Sequence, residues 1–208
     1  MIETVGIVGT GKVGGGLGER LAEVGYTVRY AVRDASKVAD LLARSGPNAS
    51  ATDIAGAAAS DVVFLAVPSA AVADAVRSLG ALDGTILVDC TNPVGPGPSH
   101  APPPEGSNAA LIAKLAPRAR VVKGWNAFGA ELHRDPRLGE DRVDVPLASD
   151  DIEAKKALTA LAERAGFRAL DAGGLANAAL VEALAILWIH LAMKGGHGRS
   201  IAWKLLAR

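Results

Sequence analysis

Val5-Gly-Ile-Val-Gly-Thr-Gly-Lys-Val-Gly14 is a short apolar run that ends in glycines at positions 9, 11 and 14. Leu17, Leu21 and Val24 then recur at helical spacing until Gly25 supplies a stop, so the segment reads as strand, turn, helix. In that context the triplet is a dinucleotide-binding fingerprint. Gly9 permits the tight turn, Gly11 lets the backbone approach a pyrophosphate, and Gly14 lets helix and strand pack closely. The helix start, with Lys12 and Val13, presents unpaired amides and a positive dipole end to phosphates.

The same alternation runs outward from this stretch. Thr27–Val32, Asn48–Thr52, Asp61–Val67, Thr85–Asp89 and Ala119–Trp125 read as strands. Ala35–Arg44, Ala70–Leu79 and Ala109–Ala116 read as helices between them. Apolar strands without polar alternation imply a parallel sheet covered on both faces. The expected fold is therefore α/β, a Rossmann-type doubly wound parallel sheet over residues 1–148, with a small C-terminal helical lobe over 149–208. Val143–Ala148 and Phe167–Asp171 read as further strands. Asp150 with Glu153 resembles a capping box for a helix to about Ala165. Asn177–Lys194 and Arg199–Leu206 read as helices, the first of them buried. Asn92–Asn108 holds six prolines and is expected to be a long loop of the kind that serves as a lid.

The second strand ends in Arg33, where an NAD enzyme usually places an acid to bind the ribose hydroxyls. Lys37 stands one helical turn beyond, with Ser36 between, so two cations and a hydroxyl can converge on a 2′-phosphate. That favours NADP(H) over NAD(H). The alternative leaves both cations solvated and gives the ribose role to Asp34. Val67-Pro68 and Asn92-Pro93 close strands at the carboxyl edge, where a nicotinamide ribose would lie. Asn126 is a candidate hydrogen-bond partner for the nicotinamide amide or the second substrate, and Trp125 belongs either to the redox pocket or to the core. Hydride transfer needs alignment and a dry site rather than a protein nucleophile, so no catalytic residue is assigned. His100, His133, His190 and His197 show no metal spacing, and no metal is expected.

Lysine plus arginine equal aspartate plus glutamate at 22 each in 208 residues, so no global field favours nucleic acid. One cysteine, Cys90, fits a reducing compartment, and the first residues carry no leader pattern. The apolar run 178–193 is shorter than the roughly 20 residues of a bilayer span and holds Glu182 and His190. A cytoplasmic protein without nucleic-acid or membrane partners is expected.

Beyond these patterns the chain resembles the NADPH-dependent reductases of the deazaflavin coenzyme F420. The likeness rests on the 5–14 stretch, Arg33–Lys37, Ala66-Val-Pro68, Thr91-Asn-Pro93 and Val121-Val-Lys-Gly-Trp-Asn126. It continues in Asp144-Val-Pro146, Ala169-Leu-Asp-Ala-Gly173 and Leu180-Val-Glu-Ala-Leu184. The resemblance implies phosphate contacts from Thr10, Arg33 and Lys37, hydride exchange with a flavin-like small-molecule acceptor, and a homodimer supported by the apolar 183–191 helix. Related domains serve membrane ferric reductases that use an ordinary flavin. Two rivals stand beside this reading. A hydroxyacid dehydrogenase or imine reductase would need a longer helical second domain, and a non-catalytic NADPH-binding sensor or subunit would need no acceptor.

Overall fold

The apolar runs form strands where the sequence places them, and the computed structural model, which describes residues 1–207, joins six into one parallel sheet. The chain runs through β1 (Thr4–Val8), α1 (Lys12–Glu23), β2 (Thr27–Ala31), α2 (Ala39–Ser45), β3 (Ala49–Thr52) and α3 (Ile54–Ala58). It continues through β4 (Val62–Leu65), α4 (Val72–Leu79) and β5 (Ile86–Asp89). A small hairpin, β6 (Val94–Gly95) with β7 (Ser99–His100), interrupts the proline-rich loop before α5 (Asn108–Leu115) and β8 (Arg120–Lys123). The strand order is β3-β2-β1-β4-β5-β8. Its direction reverses between β1 and β4, which puts a crevice at their carboxyl ends.

Both faces of the sheet are covered. Val5, Ile7, Phe64 and Val88 pack with Leu17 and Leu21 of α1, while Val8, Val63, Leu65 and Leu87 pack with Val76 of α4 and Ile112 of α5. Alternate residues of one strand thus serve opposite cores, which is why these strands read as unbroken apolar runs.

The rest of the chain leaves this sheet. A hairpin of β9 (Arg137–Leu138) and β10 (Asp141–Arg142) precedes β11 (Asp144–Leu147), α6 (Ile152–Arg164), β12 (Arg168–Asp171) and α7 (Ala178–Met193). β11 and β12 pair in parallel with each other. They hitch to the edge of the main sheet where the Lys123 amide donates to the Ala148 carbonyl (2.9 Å) and the Ala148 amide to the Lys123 carbonyl (3.1 Å).

The structure corrects three sequence expectations. The cap of α6 is Asp151 rather than Asp150: its Oδ1 accepts the Ala154 amide (2.8 Å), and Arg120 donates to both its oxygens (2.6 and 2.9 Å). Asp150 instead accepts the Leu175 amide (2.9 Å). Residues 199–206 form no helix, because other elements capture their backbone. Trp188 Nε1 donates to the Ile201 carbonyl (2.7 Å), Arg168 to the Leu205 carbonyl (2.6 Å), and the Leu205 amide to Asp144 (2.8 Å). Finally, α7 is buried on one face only. Val181, Glu182, Ala185 and Trp188 face inward, whereas Leu180 and Leu187 are 66% and 47% exposed.

The cap carries a prediction. Asp151→Ala should cost about 1–2 kcal/mol, lowering Tm by roughly 2–8 °C in calorimetry for a domain of this size. Arg120 and the Ala154 amide hold the Asp151 carboxyl well below the usual carboxylate range. A carboxyl depressed in the folded state stabilises above its unfolded value, near pH ~4, and loses that contribution as pH falls through the lowered value. The gap in Tm between wild type and variant should therefore shrink in acid.

Candidate functional site

The three fingerprint glycines divide by what surrounds them. Gly9 has φ +104°, and a Cβ there would lie 2.4 Å from the Ala66 carbonyl oxygen. One at Gly14 would lie 1.9 Å from the Gly9 carbonyl oxygen. Packing alone therefore demands both. A Cβ on Gly11 would have no neighbour within 4 Å, so nothing in the fold requires glycine there. Gly11 also caps α1 without a side-chain hydrogen bond, so the first-turn amides gain no partner from the cap residue. Lys12 is exposed and Val13 half-buried at the same helix start. A cleft of about 480 Å³, lined by Thr10, Gly11, Lys12, Arg44, Glu131 and Arg134 among others, opens beside the turn.

The β1–β2 register pairs Val8 with Ala31, which brings the residues after β2, Arg33 included, level with the glycine turn. Arg33 and Lys37 are exposed, and among the described residues neither side chain has a hydrogen-bond or ion-pair partner; the Lys37 amide donates to the Asp34 carbonyl (3.2 Å). Asp34 is engaged locally: its Oδ1 accepts the Ser36 amide (3.0 Å) and hydroxyl (2.7 Å), bonds that hold its carboxyl below the usual range. The acid that would mark a ribose site thus caps a 3-10 turn, and the Ser36 hydroxyl is committed to it. Behind β2, the Tyr30 ring fills the space over Gly18, where a Cβ would meet it at 2.5 Å.

Across the crevice, Val67 abuts the turn, its Cγ1 3.2 Å from a Cβ built on Gly9. Asn92 and Asn126 form a reciprocal clamp between the ends of β5 and β8. Asn92 Nδ2 donates to the Asn126 carbonyl (2.9 Å), and Asn126 Nδ2 donates to Asn92 Oδ1 (2.8 Å) and the Val181 carbonyl (3.2 Å). Asn126 Oδ1 is buried with no partner among the described residues. Trp125 belongs to the core: it is fully buried, edge-on to Phe64 at 5.2 Å and Phe167 at 6.1 Å. Its φ of +52° turns the chain so that Asn126 meets Asn92, a strained conformation costing about 1–3 kcal/mol. His133 Nε2 braces it by donating to the Trp125 carbonyl (2.8 Å).

Sequence reasoning missed a buried ionic cluster beneath this edge. Lys123, Asp89 and Glu182 have fully buried side chains, with the ammonium 2.8 Å from Asp89 and 3.1 Å from Glu182. Lys123 also donates to the Thr91 carbonyl. Asp89 Oδ1 accepts the Thr91 amide (2.8 Å) and hydroxyl (2.6 Å), and Asn108 Nδ2 donates to Thr91 Oγ1 (2.7 Å). The available signal was charge at unexpected places, one acid or base inside each of three apolar runs. Cys90, next to Asp89, is buried and its thiol is pushed well up by burial, so it is no thiolate.

The comparisons with known proteins agree with this geometry. The model of the NADP oxidoreductase, coenzyme F420-dependent family matches residues 4–93. An F420-dependent NADP reductase of Methanothermobacter marburgensis is 32% identical over 89% of this chain and 90% of its own length. The rat metalloreductase STEAP3 is 33% identical over 86% of this chain, which spans only 36% of that protein. A solved structure from Arthrobacter sp. FB24, bearing the name F420-dependent NADP reductase, superposes with a TM-score of 0.88 at 28% identity over all of both chains. With its glycine turn and switch-point crevice in place, and with a relative 32% identical over 89% of this chain and 90% of its own, the chain belongs to the coenzyme F420-dependent NADP oxidoreductases, a family of oxidoreductase enzymes.

Proposed function

We propose that this protein transfers a hydride between NADPH and coenzyme F420 at the carboxyl-end crevice of the sheet. The observation that carries the choice of NADPH over NADH is the free pair Arg33 and Lys37 beside an Asp34 turned back on Ser36. Two unpaired cations at the end of β2 suit an additional phosphate, and they supply no acceptor for the hydroxyl protons of a bare ribose diol. The residues fit the rest of the dinucleotide as well. Gly9, Thr10, Gly11, Lys12, Val13 and Gly14 form a cradle into which no side chain intrudes at Gly11. Val67, Pro68, Asn92, Pro93 and Asn126 stand at the ends of β4, β5 and β8, where the nicotinamide half would lie.

When bound, NADPH would supply the hydride, and solvent the proton, that together reduce the acceptor ring. The chain holds the rings in register and excludes water. Residues 1–148 are assigned the dinucleotide and 149–208 the closing lobe. The acceptor is assigned to coenzyme F420 because relatives of that name match the chain nearly end to end. A flavin or ferric chelate is the second reading, favoured by the STEAP3 match. Leu180, Leu184 and Leu187 line an apolar groove of about 490 Å³ on the outer face of α7, and we assign that face to a second copy of the chain in a cytoplasmic homodimer.

Purified protein is mixed with NADPH or NADH and, in turn, F420, FMN, FAD or a ferric chelate, and the nicotinamide and acceptor absorbance bands are followed. Turnover with NADPH and F420 is expected. Turnover only with FMN, FAD or iron would replace F420 by the second reading, and oxidation by none would overturn the assignment.

A further inference from the structure

Glu182 lies in the second turn of α7 at zero exposure, and its two carboxylate oxygens have different neighbours. Oε1 pairs with Lys123 (3.1 Å) and accepts the Asn108 amide (3.0 Å) at the start of α5. Through Lys123 the contact reaches Asp89 and the Thr91 carbonyl. Through Asn108 it reaches Thr91 Oγ1 (2.7 Å) and Ser69 (3.1 Å), next to Pro68. One carboxylate therefore ties together the loops after β4 and β5, the first turn of α5, and α7.

Oε2 is buried and has no hydrogen-bond partner among the described residues. It faces His100 Nε2 at 3.9 Å, from a histidine whose side chain is 30% exposed on β7 of the proline-rich loop. Burial raises the Glu182 carboxyl above its usual range, and Lys123 opposes that. A buried carboxylate oxygen without a donor costs about 1–3 kcal/mol. An imidazole N–H moving inward by about 1 Å would reach hydrogen-bond distance and relieve it.

We propose that Glu182 is a positioning residue for the acceptor side of the crevice. Its Oε1 fixes the loops that form the edge, and its Oε2 is the seat on which His100 docks to hold the 94–100 hairpin closed over them. What the hairpin would cover rests on the functional reading above; the docking itself does not. The geometry makes His100 the donor of an interaction within the chain.

Amide hydrogen exchange on the full-length protein, with and without saturating NADPH, tests the docking by comparing wild type with His100→Leu and His100→Gln. Leucine removes the donor at similar bulk, and glutamine restores an N–H at similar reach. His100→Leu should speed exchange of the amides at 94–101 about tenfold, which at 1.4 kcal/mol per decade is one hydrogen bond, with β1, β2 and β4 unchanged. His100→Gln should return the hairpin to within about threefold of wild type by the same reckoning. In turnover, His100→Leu should raise the KM for the acceptor and leave the KM for NADPH alone. Unchanged hairpin exchange in His100→Leu, or a glutamine variant as fast as leucine, would overturn the proposal. Hairpin exchange that follows this pattern in a protein no acceptor oxidises would instead unseat the functional reading and leave the docking standing.

Discussion

Replacing Arg33 and Lys37 together with alanine should raise the KM for NADPH by about 10²-fold while that for NADH moves less than about threefold. Each cation would make a charge-assisted hydrogen bond to the 2′-phosphate, worth about 1.5–3 kcal/mol. Both side chains are exposed, so solvent and salt screen them and the lower end of that range applies to the pair. About 3 kcal/mol corresponds to about 10²-fold, at 1.4 kcal/mol per decade. NADH lacks the phosphate, and the cradle that would hold its pyrophosphate lies in the turn after β1, which the substitutions leave intact. The difference should also narrow as ionic strength rises, because the Debye length falls from about 8 Å at 0.15 M to about 3 Å at 1 M. Steady-state kinetics with both cofactors at two salt concentrations reads all of this. Equal losses for the two nucleotides would assign Arg33 and Lys37 to the solvated surface and return the ribose role to Asp34.

The parts of this protein that could be read from its sequence are those governed by local rules. Glycine spacing, apolar runs and helix stops act over a few residues. They placed β1 to β5, β8 and the helices α1, α2, α4 and α5 close to where the structure has them, but not the short α3 or the β6–β7 hairpin. The proline-rich break at 92–108 was equally plain, since six prolines cannot sustain a helix or a central strand. What failed depended on distant partners. Residues 199–206 have helical composition, yet Trp188, Arg168 and Asp144 take their backbone groups and so replace the bonds a helix would have made. The one-residue shift of the α6 cap has the same origin. Arg120, on β8, selects Asp151 over Asp150 by binding both its oxygens.

The site divides along the same line. The glycine turn was legible because its geometry is set by the residues themselves. That Asp34 is spent on Ser36 was not, because an acid at a strand end looks the same whether it faces a ribose or a neighbouring amide. The Lys123 cluster shows the limit most clearly. Asp89, Lys123 and Glu182 are far apart in the chain, and each alone reads as an interruption of an apolar run. The sheet order sets Asp89 on β5 beside Lys123 on β8, and the packing of α7 over that edge adds Glu182, which together make them one buried group.

A paired substitution at the glycine turn should separate what the fold needs from what the ligand needs. Gly11→Ala is expected to leave Tm within about 2 °C of wild type, since a Cβ there meets nothing within 4 Å and φ is −72°, a value alanine adopts freely. The same methyl group stands where the backbone must approach the pyrophosphate, so NADPH affinity should fall about 10²-fold, the loss of about 3 kcal/mol of amide contacts. Gly14→Ala should do the reverse. Its Cβ would lie 1.9 Å from the Gly9 carbonyl oxygen, a backbone atom that cannot yield without undoing the turn. Neighbouring Gly9 cannot move to accommodate it, being held at φ +104° against Ala66. Forcing β1 and α1 apart would cost about 3–5 kcal/mol, at the severe end of single substitutions, and calorimetry should show a Tm lower by roughly 6–20 °C or no folded protein. Gly11→Ala binding NADPH as tightly as wild type would mean that nothing docks against that turn, and the assignment of the crevice would fall with it.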